Sequence, residues 1–194
     1  MKITALILAA GQSTRMGQPK MLLPWGETTV LGQVIETIRR AGLDDIIVVT
    51  GGERERVEKL VTSYKVQVAH NMDFKSGGML SSLQCGLRAL KPTAGAALIF
   101  LGDQPQIQER SVQAVTSRFE ETKANLVVPS YQMRRGHPWL AARPLWSEIL
   151  SMPAVESPRD FLNRHATGIE YVTVDDPSIL ADLDTPDDYL KSHP

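Results

Sequence analysis

The sequence is poor in cysteine, in aromatic residues, in net charge and in long apolar runs. A single cysteine, Cys85, among 194 residues excludes a disulfide scaffold and fits a reducing, cytoplasmic setting. With 21 Lys and Arg against 22 Asp and Glu, the formal charge is −1. No general positive field therefore exists to hold nucleic acid or an anionic membrane, and any phosphate must be held by a few placed residues. No stretch reaches the roughly 18–20 apolar residues of a membrane span. The apolar run Ile3–Ala10 that follows Lys2 is short for an export signal. Gly11-Gln12-Ser13-Thr14-Arg15 stands where a small-residue cleavage site would, so the run reads as a buried strand. Aromatic residues make up 6% of the chain. Trp25, Trp139 and Trp146 are too scattered for a stacking platform and read as packing residues. The chain has no Ser-His-Asp constellation and no metal-spaced His/Cys set, which argues against hydrolase and zinc chemistry.

What is present is the pattern of a layered α/β protein. Short β-rich apolar runs at Ile3–Ala9, Asp45–Thr50, Lys65–Ala69, Ala96–Leu101 and Asn125–Pro129 alternate with amphipathic stretches of helical length. Those stretches are Thr29–Ala41, stopped by Gly42, then Glu53–Ser63, Ser81–Leu90 and about Gln108–Thr122. Glu53-Arg54-Glu55-Arg56 reads as a solvated helix start, and Cys85 as a small core residue of its helix. The alternation then breaks. A polar turn at Tyr131–His137 leads into a returning strand at Pro138–Ala142. Short helices follow at Pro144–Ser151 and Ser157–Arg164, then a strand at Ile169–Val174 and a last helix from Thr185. The expectation is one domain over 1–194 with a mostly parallel sheet and helices on both faces. Residues 1–105 form its doubly wound half and 106–194 an irregular second half. In such sheets ligands lie beyond the carboxyl ends of the strands.

Four loops carry the chemistry. Leu8-Ala9-Ala10-Gly11-Gln12-Ser13-Thr14-Arg15-Met16-Gly17-Gln18-Pro19-Lys20 leaves a strand with small residues that let backbone N–H groups approach a ligand, and with Arg15 and Lys20 for phosphate oxygens. It lacks the Gly-Lys-Ser/Thr of a P-loop. Gly102-Asp103-Gln104-Pro105 puts a carboxylate at a buried strand's tip, suited either to Mg²⁺ or to turn capping. Asn71-Met72-Asp73-Phe74-Lys75-Ser76-Gly77-Gly78-Met79-Leu80-Ser81-Ser82 offers N–H groups and hydroxyls to a ribose, base edge or phosphate, or caps a helix through Ser81 or Ser82. Arg134-Arg135-Gly136-His137-Pro138 joins two guanidinium groups and an imidazole. Near the end of the chain, Thr185, Pro186, Asp187 and Asp188 fit the N-cap and first turn of a helix. Asp184 is left over by that account.

Leu-Ala-Ala-Gly-x-Ser-x-Arg-Met-Gly-x-x-Lys, with Gly-Met-x-Ser-Ser-Leu, Gly-Asp-Gln-Pro, Arg-Gly-His-Pro and Asp-Leu-Asp-Thr-Pro-Asp-Asp in the same order, resembles the MobA-like nucleotidyltransferases of glycosyltransferase-A-like fold. Within that family it is closest to the molybdenum-cofactor cytidylyltransferase branch. The resemblance implies a nucleotide-binding first half and an acceptor-binding second half. It assigns base contact to Leu8, Ala9, Ala10 and Gly11, with Gly78 and Ser82 beside base and ribose, and triphosphate contact to Arg15 and Lys20. It assigns Mg²⁺ to Asp103 and Asp184, and the acceptor to Arg135, Gly136, His137 and Pro138, with His137 in a positioning role. Met72 and Leu80 depart from the family pattern. Ala10, where guanylyltransferases of the family carry glycine, favours CTP over GTP. The implied reaction moves CMP from CTP to the terminal phosphate of molybdopterin, with transient contact to a molybdoenzyme or its chaperone. The alternatives are GTP or a sugar or alditol phosphate as substrate, or a nucleotide-binding accessory protein without turnover.

Overall fold

The computed structural model describes residues 1–194. In chain order the elements are β1 (Lys2–Ala9), β2 (Pro24–Trp25), β3 (Thr28–Thr29), α1 (Val30–Arg40), β4 (Ile46–Thr50), α2 (Arg54–Ser63), β5 (Gln67–His70), α3 (Gly78–Ala89), β6 (Ala94–Leu101), α4 (Glu109–Thr122), β7 (Leu126–Tyr131), β8 (Arg134–Arg135), β9 (Trp139–Ala142), α5 (Trp146–Ser151), α6 (Pro158–Arg164), β10 (Glu170–Thr173) and α7 (Pro186–Ser192). The sheet runs β10-β7-β9-β6-β1-β4-β5, with β8 paired to β7 outside that path. The pairs β1–β4, β1–β6, β4–β5 and β7–β10 are parallel. β9 runs against both β6 and β7, the returning strand expected after the polar turn.

β1 shows why three layers form. Its alternate residues point to opposite faces. Ala5, Ile7 and Ala9 join one core with Leu31, Val34, Ile35 and Ile38 of α1, Val57 and Val61 of α2, and Val112, Val115 and Phe119 of α4. Leu6, Leu8 and Ala10 join a second core with Leu80, Leu83 and Leu87 of α3, Trp146 and Ile149 of α5, and Phe161 and Leu162 of α6. Trp139 and Trp146 are buried in this second core, as packing residues. A small third cluster of Met16, Leu23, Trp25, Val30 and Leu183 lies apart from both.

The local signals explain most boundaries. Thr29 caps α1, its hydroxyl accepting from the Gly32 N–H at 3.1 Å, and Gly42 follows the helix at φ +89°. Ser157 and Thr185 each form a capping box, with Asp160 and Asp188 respectively. Two expectations need correction. α3 begins at Gly78 rather than Ser81, its N-cap is Gly77, and neither serine caps it. Cys85 is half-buried on the flank of α3, and desolvation raises its thiol pKa.

From β1 the chain steps to β4 and β5 on one side of the sheet, then returns to place β6 on the other side of β1. The strand order thus reverses about β1, and the crevice of this switch point lies where the loops leaving the carboxyl ends of β1 and β6 adjoin.

Candidate functional site

The loop leaving β1 enters the crevice. Leu8, Ala9 and Ala10 are buried at its base and Gly11 is exposed. Its backbone folds back on itself: the Met16 N–H donates to the Ser13 carbonyl at 3.0 Å, and the Lys20 N–H donates to the Ser13 hydroxyl at 3.1 Å. Pro19 ends the loop and opens a single turn of 3₁₀ helix over Lys20–Leu22, which aims the Lys20 side chain across the strand ends.

The Lys20 ammonium lies among acceptors from two segments distant from it and from each other in sequence. It is bonded to the Asp103 carboxylate just past β6, donates to the Leu183 carbonyl at 3.1 Å, and stands 3.5 Å from the Asp184 carboxylate. Arg15 reaches the other Asp184 oxygen at 3.1 Å. The Leu183 N–H donates to the Asp103 carbonyl at 3.1 Å and so joins the two acidic segments backbone to backbone. The four residues expected for triphosphate and metal thus form one charged constellation, although Asp184 comes from the far end of the chain.

Sequence reasoning missed two residues here. Gln104 is buried, and its amide donates to Asp182 at 2.7 Å and to the Ile179 carbonyl at 3.4 Å. Asp182 thereby ties the acidic turn to the C-terminal segment. Desolvation raises the Asp182 carboxyl pKa, with repulsion from Asp103 and then Asp184 adding to the rise and the Gln104 bond opposing it. Gln104 stood beside Asp103 in the tetrapeptide, but nothing local marks its long-range partner.

On the far side of β1, the loops after β4 and β5 close the crevice. A side chain at Gly51 would lie 2.5 Å from the Ala10 carbonyl and 2.8 Å from Phe74, so only glycine permits this approach. Asn71, buried at the end of β5, was also missed. Its amide donates to the hydroxyls of Ser81 at 2.8 Å and Ser82 at 3.1 Å, and its carbonyl accepts from the Asp73 N–H at 3.0 Å. Its place before the double glycine was the only sequence signal. Gly78 opens α3 at φ +58°, exposed, while Ser82 is buried.

The expected acceptor residues adjoin the acidic turn through Ile179, whose carbonyl accepts from both Gln104 and His137. Arg135 donates to the Tyr171 hydroxyl and to the Asn163 side chain, each at 2.8 Å, which fixes its guanidinium against β10 and α6. Gly136 is buried, and a Cβ there would come 2.4 Å from the Ile179 carbonyl, so the position serves close packing. His137 donates its backbone N–H to the same carbonyl at 3.0 Å, and Pro138 is buried behind it. Burial lowers the His137 imidazole to about 4, so it is neutral near pH 7 and adds no cation to the Arg134–Arg135 turn.

A surface cavity of about 400 Å³ is lined by Met1, Lys2, Asp44, Asp45 and Glu120 at the amino ends of the strands, away from the motif residues. A smaller cleft of about 240 Å³, lined among others by Asn71, Ser81 and Arg88, borders the start of α3. Asp103 and Asp184 offer hard carboxylate oxygens around one cation position, now filled by the Lys20 ammonium. No group of three or more His, Cys, Asp or Glu gathers to hold a metal by itself. A divalent ion at this point would take two protein carboxylates and complete its shell from phosphate oxygens and water, the mode Mg²⁺ favours, so the residues fit. No helix is long and apolar enough to cross a membrane.

Comparison with known proteins identifies the family. The MobA-like NTP transferase domain model matches residues 5–169. The chain is 30% identical to the molybdenum cofactor cytidylyltransferase of Escherichia coli K12, over 98% of this chain and 95% of that one. It is 27% identical to nicotine blue oxidoreductase of Paenarthrobacter nicotinovorans, over 94% and 92% of the two chains. Rv0371c of Mycobacterium tuberculosis H37Rv superposes with a TM-score of 0.83 at 29% identity, covering 98% of this chain and 97% of that one. A structure of Rv0371c in complex with manganese gives a TM-score of 0.79 at 28% identity, with the same coverage. By its sheet, by the motif residues gathered at the switch point and by these matches, the chain is a nucleotidyltransferase that belongs to the MobA-like NTP transferase family.

Proposed function

We propose that the protein transfers CMP from CTP to the terminal phosphate of molybdopterin, with Mg²⁺ and release of pyrophosphate. The observation that carries this reading is the convergence of Lys20 and Arg15 with Asp103 and Asp184 at the switch point, beside a strand end carrying Ala-Ala-Gly. The likeness to the E. coli cytidylyltransferase over nearly the whole chain favours CTP and a molybdopterin acceptor.

In the reaction an acceptor phosphate oxygen attacks the α-phosphorus in line, a P–O bond forms, the bond to the β-phosphate breaks, and pyrophosphate carries off the charge. The chain's work is to position and to neutralise. The backbone from Leu8 to Gly11 lies under the base, with Gly78 and Ser82 at base and ribose. The Asn71 amide holds the Ser82 hydroxyl and fixes where it points. Arg15 and Lys20 exchange their carboxylate partners for triphosphate oxygens and offset charge on the leaving group. Asp103 and Asp184 would hold the metal, which when bound supplies charge neutralisation at the reacting phosphates. The acceptor lies toward residues 106–194, against Arg135, Gly136, His137 and Pro138. Its phosphate is already ionised at neutral pH, so neutral His137 orients it rather than moving a proton.

Pyrophosphate release, measured with each of the four nucleoside triphosphates and Mg²⁺ with and without molybdopterin, tests the reading. Release with CTP that requires molybdopterin is the expected result. A preference for GTP overturns the cytidylyl assignment. Tight nucleotide binding without turnover establishes an accessory, nucleotide-binding role instead.

A further inference from the structure

The third hydrophobic cluster has an unusual membership. Met16 is buried in an otherwise largely exposed loop, directly after Arg15. Leu183 is fully buried, directly before Asp184. The two anchors share one small core with Leu23, Trp25 and Val30. The side chains that form the Arg15–Asp184 ion pair are thus each rooted, one residue away, in the same apolar cluster.

What closes this cluster is α7. Tyr189 packs on it, with its ring centroid 6.2 Å from that of Trp25, and its hydroxyl donates to the Pro24 carbonyl of β2 at 2.7 Å. His193 lies edge-on to both rings, at 5.8 Å from Trp25 and 5.0 Å from Tyr189. At the other end of the helix Thr185 caps α7 through its capping box, immediately after Asp184. Asp184 therefore has no backbone freedom of its own: Leu183 is buried on one side of it and a capped helix begins on the other. The helix is short and shares nothing with the two large cores, so its docking depends on Tyr189 and its two aromatic neighbours.

We infer that Tyr189 is a positioning residue of the transfer site, the latch that holds α7 on the hairpin formed by the antiparallel pair β2 and β3 and so sets both the Asp184 carboxylate and the Met16-anchored phosphate loop. A part of the chain that touches neither nucleotide nor acceptor thereby fixes the spacing of the acidic pair. The inference deepens the proposed function and rests on it only for what the pair would hold.

The test compares the full-length wild type with Tyr189→Phe, which deletes only the hydroxyl, and Tyr189→Ala, which deletes the ring. Backbone hydrogen exchange without ligand is read first. In Tyr189→Ala, exchange should rise in the loop around Ser13–Gln18 and at Asp182–Asp184 together, and stay unchanged in β1 and β6, because those strands belong to the large cores. Mn²⁺ titration in the presence of CTP, followed by paramagnetic resonance, is read second. Tyr189→Ala should weaken Mn²⁺ by about ten-fold, as expected of a group that orients a ligand without touching the metal, and Tyr189→Phe should fall between it and wild type. Unchanged exchange in the Ser13–Gln18 loop of Tyr189→Ala overturns the inference, as does unchanged Mn²⁺ affinity alongside a lowered melting temperature. If wild type binds neither Mn²⁺ nor CTP while the exchange result holds, the transfer reading falls and the latch stands.

Discussion

Lys20 and Asp103 form an ion pair in which both side chains are largely withdrawn from water, 12% and 14% exposed. Without substrate this ammonium sits where Asp103 and Asp184 converge, so it neutralises carboxylates that would otherwise repel each other across the crevice. Triphosphate binding asks it to change partners, and a divalent ion then serves the carboxylates. Lys20→Ala should lower pyrophosphate release by about 10²–10³-fold, the usual effect of deleting a placed charge-stabilising group. It should also cost about 2–3 kcal/mol in denaturant melts, below the range for a fully buried pair because both groups keep some water. Asp103→Asn should lose turnover to the same extent. Near wild-type turnover in either variant would remove this pair from the mechanism.

The Arg15–Asp184 pair separates chemistry from stability. The Arg15 side chain is 69% exposed, so Arg15→Ala should shift stability by no more than about 0.5 kcal/mol. Turnover should nevertheless fall at least about ten-fold, because the guanidinium is lost from the triphosphate. A double-mutant cycle with Asp184→Asn checks this. The two sites should couple weakly in melting and strongly in the CTP concentration needed for half-maximal rate. Strong coupling in melting and none in kinetics would make the pair a structural bridge.

Much of this site was legible before any fold was known, for reasons particular residues show. Lys20, Arg15 and Asp103 stand in compact motifs whose residue types state their chemistry. The boundaries of α1 were legible because Thr29 and Gly42 punctuate it, and Thr185 to Asp188 specified their own capping. The start of α3 was hidden because two glycines read as loop. The helix nevertheless starts at Gly78, where the Asn71 amide crosses from β5 to hold Ser81 and Ser82. Gln104 and Asp182 stand 78 residues apart, and nothing in either neighbourhood announces the bond. The two-residue strands β2 and β3 carry too few positions to show alternation, so the hairpin that receives α7 was invisible as well.

His137 gives the site a pH signature in stability rather than in catalysis. Burial lowers its folded pKa from 6.5 to about 4. Between those values the unfolded chain takes up a proton that the folded chain refuses, so protonation favours unfolding and stability falls as pH drops through this window. The loss attributable to His137 should be about 2 kcal/mol between about pH 7 and about pH 5, and should level off below about pH 4, where both states are protonated. Urea melts of wild type and His137→Gln at both pH values isolate it, since the glutamine variant should lack that share of the decline. Equal declines in the two proteins would mean that the folded imidazole titrates normally.

Ala10 is where nucleotide choice is most open to test. Its methyl group is buried at the end of β1 against Gly51, on the wall of the crevice assigned to the base. A purine needs more room along this wall than a pyrimidine. One methyl group in an apolar wall discriminates by roughly 1–3 kcal/mol, or about 10–200-fold. Ala10→Gly should therefore raise kcat/KM for GTP relative to CTP by at least about ten-fold, mostly by weakening the preference for CTP rather than by creating tight GTP binding. The substitution leaves Arg15, Lys20, Asp103 and Asp184 in place, so turnover at saturating CTP should change little. Pyrophosphate release across a concentration series of each nucleotide separates the two parameters. An unchanged GTP/CTP ratio would place base selection elsewhere in the crevice, with the loops around Gly78 and Ser82 next in line.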